Sequence, residues 1–147
     1  MIPRYTNPEM GRIWTDQHRY ETWLLVETAA AEAMAEVGMI PAEAARDIRE
    51  RGAVDIARIE EIEATTQHDV IAFTTAVAER VGDSARWLHF VLTSSDGLDT
   101  ALALQMVEAC DLILLDLNKP LEVILSRAEE HRMTTMIGVT QRVHAHR

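Results

Sequence analysis

The chain has 147 residues with 14 Lys+Arg against 24 Asp+Glu, a formal charge of −10. That balance argues against non-specific nucleic-acid binding, which needs clustered cations, and against docking on anionic lipid. Hydrophobic residues make up 48% of the chain, too many for a disordered acidic tail.

Other exclusions follow from particular residues. Cys110 is the single cysteine, so no disulfide framework or cysteine-based zinc site forms within the chain, and a reducing compartment fits. Met1 to Tyr5 lacks a signal-peptide apolar region, and no long apolar run is free of charge. The expectation is a cytoplasmic domain that neither spans a membrane nor binds nucleic acid.

Helical periodicity dominates. A short turn or helix follows Pro8. A long helix is expected from about Asp16 to Val37, with Thr15 as N-cap and an apolar stripe of Trp23, Val26, Ala30, Met34 and Val37. Gly38 ends it. Pro41 opens a helix to about Arg51, stopped by Gly52. Asp55 to Glu63 forms another. Thr65 to His68 reads as a loop, and Asp69 can cap the next helix, whose stripe is Val70, Phe73 and Val77. Gly82 closes that helix, and Ser84 to Trp87 is a short one. Leu92 to Asp96 forms a second cap-like loop.

The last helical stretch, about Asp96 to Arg132, carries the strongest physical signal. From Ala101 to Leu117, 13 of 17 residues are apolar. A surface helix shows one apolar face; this one is apolar around most of its circumference and must be surrounded. A chain of short helices is a poor enclosure, so other chains or further sequence are expected to cover it. The alternative is a monomer with one central core helix. Pro120 should kink or interrupt the stretch.

Two loops could carry chemistry. His68-Asp69 and Thr93-Ser94-Ser95-Asp96 each precede a helix, where free N–H groups and the positive dipole end suit carboxylates and phosphates. A histidine beside an acid can act as a general acid. Each also has an ordinary explanation: Asp69 and Ser94 or Ser95 as N-caps, His68 as a structural or surface residue. Arg4-Tyr5 is a weaker candidate still. His144 and His146 are read as terminal polar residues, and no metal site is expected.

Four blocks occur in order: I-P-R-Y at 2–5, I-W-T-D-Q-H-R-Y-E-T-W-L at 13–24, H-D-V-I-A-F at 68–73 and W-L-H-F-V-L-T-S-S-D-G-L-D-T-A-L at 87–102. With these the sequence resembles the N-terminal part of the adenylosuccinate lyases, within the fumarase/aspartase superfamily. The resemblance implies an all-α fold. It implies a small helical domain at 1–93, and at 94–147 the beginning of a central helical-bundle domain. In the family that bundle forms a homotetramer, here through the 96–132 helix, and three subunits build each active site. The implied reaction is β-elimination of fumarate from adenylosuccinate, giving AMP, and from SAICAR, giving AICAR, in purine biosynthesis. No cofactor is implied.

The resemblance also implies roles. Arg4 and Tyr5 match a nucleotide-contacting pair, with Arg4 suited to the phosphate. Gln67, His68 and Asp69 match a substrate-contacting block, in which His68 assists proton transfer and Asp69 fixes its tautomer. Thr93 and Ser94 match hydroxyls that hold the substrate carboxylate.

The match breaks near the end. The family segment resembles G-R-T-H-G-V-H-A-E-P, whereas here residues 138–147 read G-V-T-Q-R-V-H-A-H-R. Gln141 stands at the position of the general-acid histidine, and an amide cannot give up a proton at neutral pH. The family's later signature loop, with its serine base, is not in this chain. The isolated chain is therefore expected to be inactive. A truncated or fragment form with a lesion is the first expectation, and the clustering of mismatches at the terminus favours a lesion or an engineered end over gradual drift. An engineered domain and a non-catalytic oligomerisation or nucleotide-binding paralogue remain open.

Overall fold

The computed structural model describes residues 2–140 and 143–145. The fold is all-α, as expected, apart from one short two-stranded ribbon. Among the described residues six α-helices follow in chain order: α1 Pro8–Ile13, α2 Asp16–Glu36, α3 Ala42–Arg51, α4 Ile56–Thr66, α5 Asp69–Val81 and α6 Ser94–Glu130. Single 3₁₀ segments span Pro3–Tyr5 and Gly82–Trp87. The ribbon pairs β1 (Gly138–Thr140) with β2 (Val143–Ala145) antiparallel, Gly138 opposite Ala145. The chain divides into two compact units, Met1–Cys110 and Asp111–Arg147.

In the first unit, α2 packs on α3 and α4 on α5. Their shared core holds Ile48, Ile59, Phe73, Val77 and Val81. Phe73 stacks on Tyr20 at 5.8 Å between ring centroids and meets Trp23 edge-on at 5.4 Å, the offset and T-shaped geometries that the ring quadrupole favours.

Helix ends follow local chemistry. Thr15 caps α2 by accepting from the His18 N–H at 3.2 Å. At the other end, Met39 N–H donates to the Met34 carbonyl and Gly38 N–H to the Ala35 carbonyl, with Gly38 at φ 74°. This is a Schellman closure, in which glycine takes the left-handed position without a Cβ clash.

Several expectations shift. The buried face of α2 includes Tyr20, Trp23, Glu27 and Ala31, with Val26 and Met34 partly buried against the core as expected, while Val37 lies beyond the helix and is 71% exposed. Helix α4 starts one residue later, with Asp55 as its cap, and runs on through Thr65 and Thr66 to a left-handed Gln67, so only Gln67 and His68 separate it from α5. Helix α5 begins at Asp69, and the cap is His68, one residue earlier than expected. Helix α6 spans 94–130 rather than 96–132. It continues through Pro120 without interruption, although the ring removes the donor that would serve the Asp116 carbonyl.

Helix α6 does not become a core helix. Its buried residues are Gly97, Ala101, Gln105 and Ala109, one narrow stripe at i+4 spacing. Gln105 donates to the Ile13 carbonyl at 2.6 Å, which satisfies a buried amide. Leu102, Leu104, Met106 and Val107 on the same helix are exposed, as are Ile113, Leu114, Leu115, Leu117, Leu121, Val123, Ile124 and Leu125. Among the described residues, no helix is long and apolar enough to cross a membrane.

Candidate functional site

His68 sits at the junction of α4 and α5. Gln67 closes α4 in the left-handed region at φ 50°. The chain then turns, and the His68 Nδ1 accepts from the Ile71 N–H at 3.4 Å. A nitrogen that accepts a hydrogen bond carries no proton, so this cap leaves the proton of the neutral ring on Nε2. Asp69 Oδ1 lies 3.7 Å from the same Nδ1 and accepts from the Val70 N–H at 2.8 Å. The cap bond, more than Asp69, therefore orients the imidazole. Both side chains are about half exposed.

Thr93 and Ser94 open α6. The Thr93 N–H donates to Asp96 Oδ2 at 2.8 Å, and its hydroxyl donates to the same oxygen at 3.0 Å. This is the reaching-back half of a capping box. These two donors hold the Asp96 carboxyl below the usual carboxylate range. They also commit the Thr93 hydroxyl proton. To donate to an incoming carboxylate, Thr93 must first release Asp96. Ser94 instead lines a narrow cleft with Trp23, Glu27, Val70, Phe73, His89, Gly97 and Leu98. The cleft's volume is about 10 Å³, room for about one water.

Glu27 and His89 form the polar part of that cleft beside Ser94. Glu27 is only 4% exposed. Its Oε2 accepts from the His89 N–H at 2.9 Å, and its Oε1 lies 2.6 Å from His89 Nδ1. A buried carboxylate needs such partners. His89 and Val91 have φ of 56° and 55°. The left-handed region is uncommon for any residue with a Cβ and a genuine outlier for β-branched valine. Each such residue costs about 1–3 kcal/mol and persists only where its surroundings over-determine it. The legible signal was a carboxylate at Glu27 in register with Tyr20, Trp23 and Ala31 on the apolar face of α2.

Arg4 and Tyr5 lie in the N-terminal 3₁₀ segment. The Arg4 guanidinium stacks on the Tyr5 ring at 4.8 Å, and Tyr5 is 70% exposed. Among the described residues, no hydrogen bond or ion pair joins this pair to the His68 or Thr93 segments. Gln67 lines a different, open depression of about 500 Å³ with Glu60, Glu63 and Ala64. Two carboxylates make that surface a poor seat for a phosphate or dicarboxylate, despite its size. Gln141 lies outside the described residues. Among the described residues, no group of three or more His, Cys, Asp or Glu is placed to hold a metal ion.

The first unit thus brings Ser94 beside the start of α5, in a cleft that among the described residues holds about 10 Å³. Donors and an imidazole line an open surface. Such an arrangement can contact one side of an anionic molecule and requires further groups to enclose it.

Comparison with known proteins gives this surface a context. Residues 4–146 match the sequence model of a family described as "Lyase". The chain is 53% identical over 145 residues to an adenylosuccinate lyase of Synechocystis sp., covering 99% of this chain and 34% of that protein. It is 49% identical over 145 residues to the adenylosuccinate lyase of Bacillus subtilis, with the same coverage. The crystal structure of a fumarate lyase from Mesorhizobium sp. BNC1 superposes with a TM-score of 0.86 at 25% identity, over 95% of this chain and 34% of that one. The chain spans about a third of the length of the curated relatives it matches.

Proposed function

The chain belongs to this lyase family, and we propose that it carries the N-terminal third of an adenylosuccinate lyase. The observation that carries the proposal is near-50% identity to adenylosuccinate lyases across 99% of the chain. The reaction of the whole enzyme would be β-elimination of fumarate from adenylosuccinate and SAICAR, in purine biosynthesis and in the cytoplasm. Residues 1–93 form the first domain of that enzyme in this proposal, and 94–147 begin its central bundle.

The residues then take definite parts. Arg4, aided by Tyr5, pairs with the nucleotide phosphate, since a guanidinium forks onto phosphate oxygens. Asp69 contacts the substrate beside His68, and Gln67, which closes α4 in the left-handed region, sets the turn that presents both. The His68 Nε2–H, left by the cap bond at Nδ1, is the face of the ring that can donate to substrate. Ser94, and Thr93 once it leaves Asp96, hold the succinyl carboxylate. Removing a proton beside a carboxylate builds negative charge on its oxygens, which preorganised donors stabilise. The departing nitrogen needs a proton from a general acid. At the family's general-acid position stands Gln141, which cannot supply one. The exposed faces of α6 are covered by further copies of this chain, as a tetramer, and those copies bring the remaining walls of the site.

One experiment tests this directly. Purified chain is titrated with AMP by calorimetry and assayed for fumarate release from adenylosuccinate. The expected outcome is AMP binding that weakens at least tenfold in Arg4→Ala, with no fumarate released. Fumarate release would overturn the inactivity, and absence of AMP binding at millimolar ligand would overturn the nucleotide site. The Gln141 substitution favours a second reading, a non-catalytic module that assembles through α6 without a ligand. Absence of AMP binding combined with retained assembly would support that reading.

A further inference from the structure

Glu27 is the most deeply buried carboxylate among the described residues that touches the proposed substrate surface, and nothing in the proposed chemistry uses it. It leaves the inward face of α2, beside Trp23, and reaches the backbone of a turn 62 residues away in sequence. There it accepts from the His89 N–H at 2.9 Å and meets His89 Nδ1 at 2.6 Å. The bonded turn holds two non-glycine residues in the left-handed region, His89 and Val91. Such a conformation relaxes unless something fixes it. Two residues after Val91 the chain reaches Thr93, and Ser94 shares the cleft with Glu27 and His89. The first turn of α6 abuts the same carboxylate, since a Cβ built on Gly97 would lie 3.8 Å from Glu27 Oε1.

We propose that Glu27 is a positioning residue, which clamps the His89–Val91 turn and thereby sets where Thr93 and Ser94 present their hydroxyls to a dicarboxylate. The inference rests on the reading of Thr93 and Ser94 as carboxylate-holding groups. The grip has two parts with separate chemistry. The bond to the His89 N–H fixes the backbone and needs only an acceptor. The contact to Nδ1 fixes the ring with its proton on that nitrogen, and it needs a carboxylate.

The two parts predict different variants. Glu27→Leu fills similar space and removes both contacts. Glu27→Gln keeps an acceptor for the N–H, and its amide can donate to Nδ1, which moves the ring proton to Nε2. Three measurements on the 147-residue chain separate the possibilities: thermal unfolding, amide hydrogen exchange of the segment 88–96 by mass spectrometry, and fumarate titration by calorimetry. ¹⁵N-histidine spectra add the tautomer of His89.

In Glu27→Leu, exchange should accelerate at least tenfold within 88–96 and remain unchanged in α4 and α5, with fumarate affinity falling at least tenfold. Glu27→Gln should restore most of the exchange protection and the affinity while its His89 ¹⁵N shifts report the switched tautomer. Wild-type exchange in 88–96 of Glu27→Leu overturns the clamp whatever the ligand result. Accelerated exchange with undiminished fumarate binding shows Glu27 to be merely structural and also overturns the proposal. If the parent chain itself binds no fumarate, the carboxylate role of Thr93 and Ser94 fails with the functional reading. The exchange data then decide the clamp alone. If Glu27→Leu does not fold, Glu27→Gln decides: unchanged ¹⁵N shifts would overturn the contact.

Discussion

The exposed residues of α6 after Cys110 allow association to be worked out before it is measured. Ile113, Leu114, Leu115, Leu117, Leu121, Val123, Ile124 and Leu125 are 49% to 62% exposed. Complete burial of such a side chain is worth about 1.5–3 kcal/mol, so covering the exposed half of each gains about 1 kcal/mol. The set supplies about 8–10 kcal/mol on that basis. A second copy on one side covers about half of the circumference of each of the two helices, and the pair gains about 8–10 kcal/mol. Association costs about 4–15 kcal/mol. One partner therefore leaves the balance near zero, and the helix needs neighbours on more than one side. Leu114 and Leu125 are eleven residues apart, three helical turns, and so share a face. Replacing both by Glu removes their gain and puts two charges where a partner must pack, a penalty of several kcal/mol. Sedimentation velocity at micromolar concentration should show the parent chain as a multiple of 16.5 kDa and the double variant as a single chain with unchanged helical circular dichroism. A parent chain that sediments as a monomer would refute the reasoning.

Other outcomes follow from single residues. His68→Ala should lower stability by about 1 kcal/mol through loss of the α5 cap, whereas His68→Asn should keep it; chemical unfolding read by circular dichroism separates the two. Gly52→Ala should destabilise by about 1–3 kcal/mol, because its Cβ would lie 2.5 Å from the Ile48 carbonyl oxygen and 3.1 Å from Leu24 Cδ1; thermal unfolding measures this. Asp55 is held below the usual carboxylate range by the Arg58 N–H and by Arg80, Glu79 by Arg58, and Asp96 by Thr93. A depressed folded pKa means stability that is present above the unfolded value, about 4, and lost as pH falls through the folded one. The melting temperature should therefore hold steady above about pH 5 and fall below about pH 4, with a shallower fall in Asp96→Asn.

How far the sequence carries the structure differs from element to element, and for physical reasons. Thr15, Gly38 and Gly52 mark helix ends because capping is local: the atoms that satisfy a terminal N–H or carbonyl lie within four residues of it. All three sit where the sequence places them. The stripe of α2 is only partly legible. Counting apolar residues finds Val26, which packs against the core, but it also favours the exposed Val37 and misses Glu27, since a carboxylate is assigned to solvent by any rule that ranks residues by hydropathy. What reverses that ranking is a partner 62 residues away, the His89 N–H, in a turn whose left-handed backbone no local propensity favours. The same limit hides the site. His68 and Thr93-Ser94 stand out because helix starts are visible in sequence, yet the bond that occupies the Thr93 hydroxyl and the carboxylate that grips the adjoining turn are matters of tertiary geometry. For α6 the composition is sufficient in a different way. An apolar circumference demands cover, and among the described residues little of α6 finds it: Gly97, Ala101, Gln105 and Ala109 are buried, and Leu98 packs against the core. Small residues at that spacing let one face of α6 seat closely, which leaves the large side chains for other surfaces. The helix thus seats on its own first unit along the small stripe, and in the proposed assembly the leucines are left for other copies.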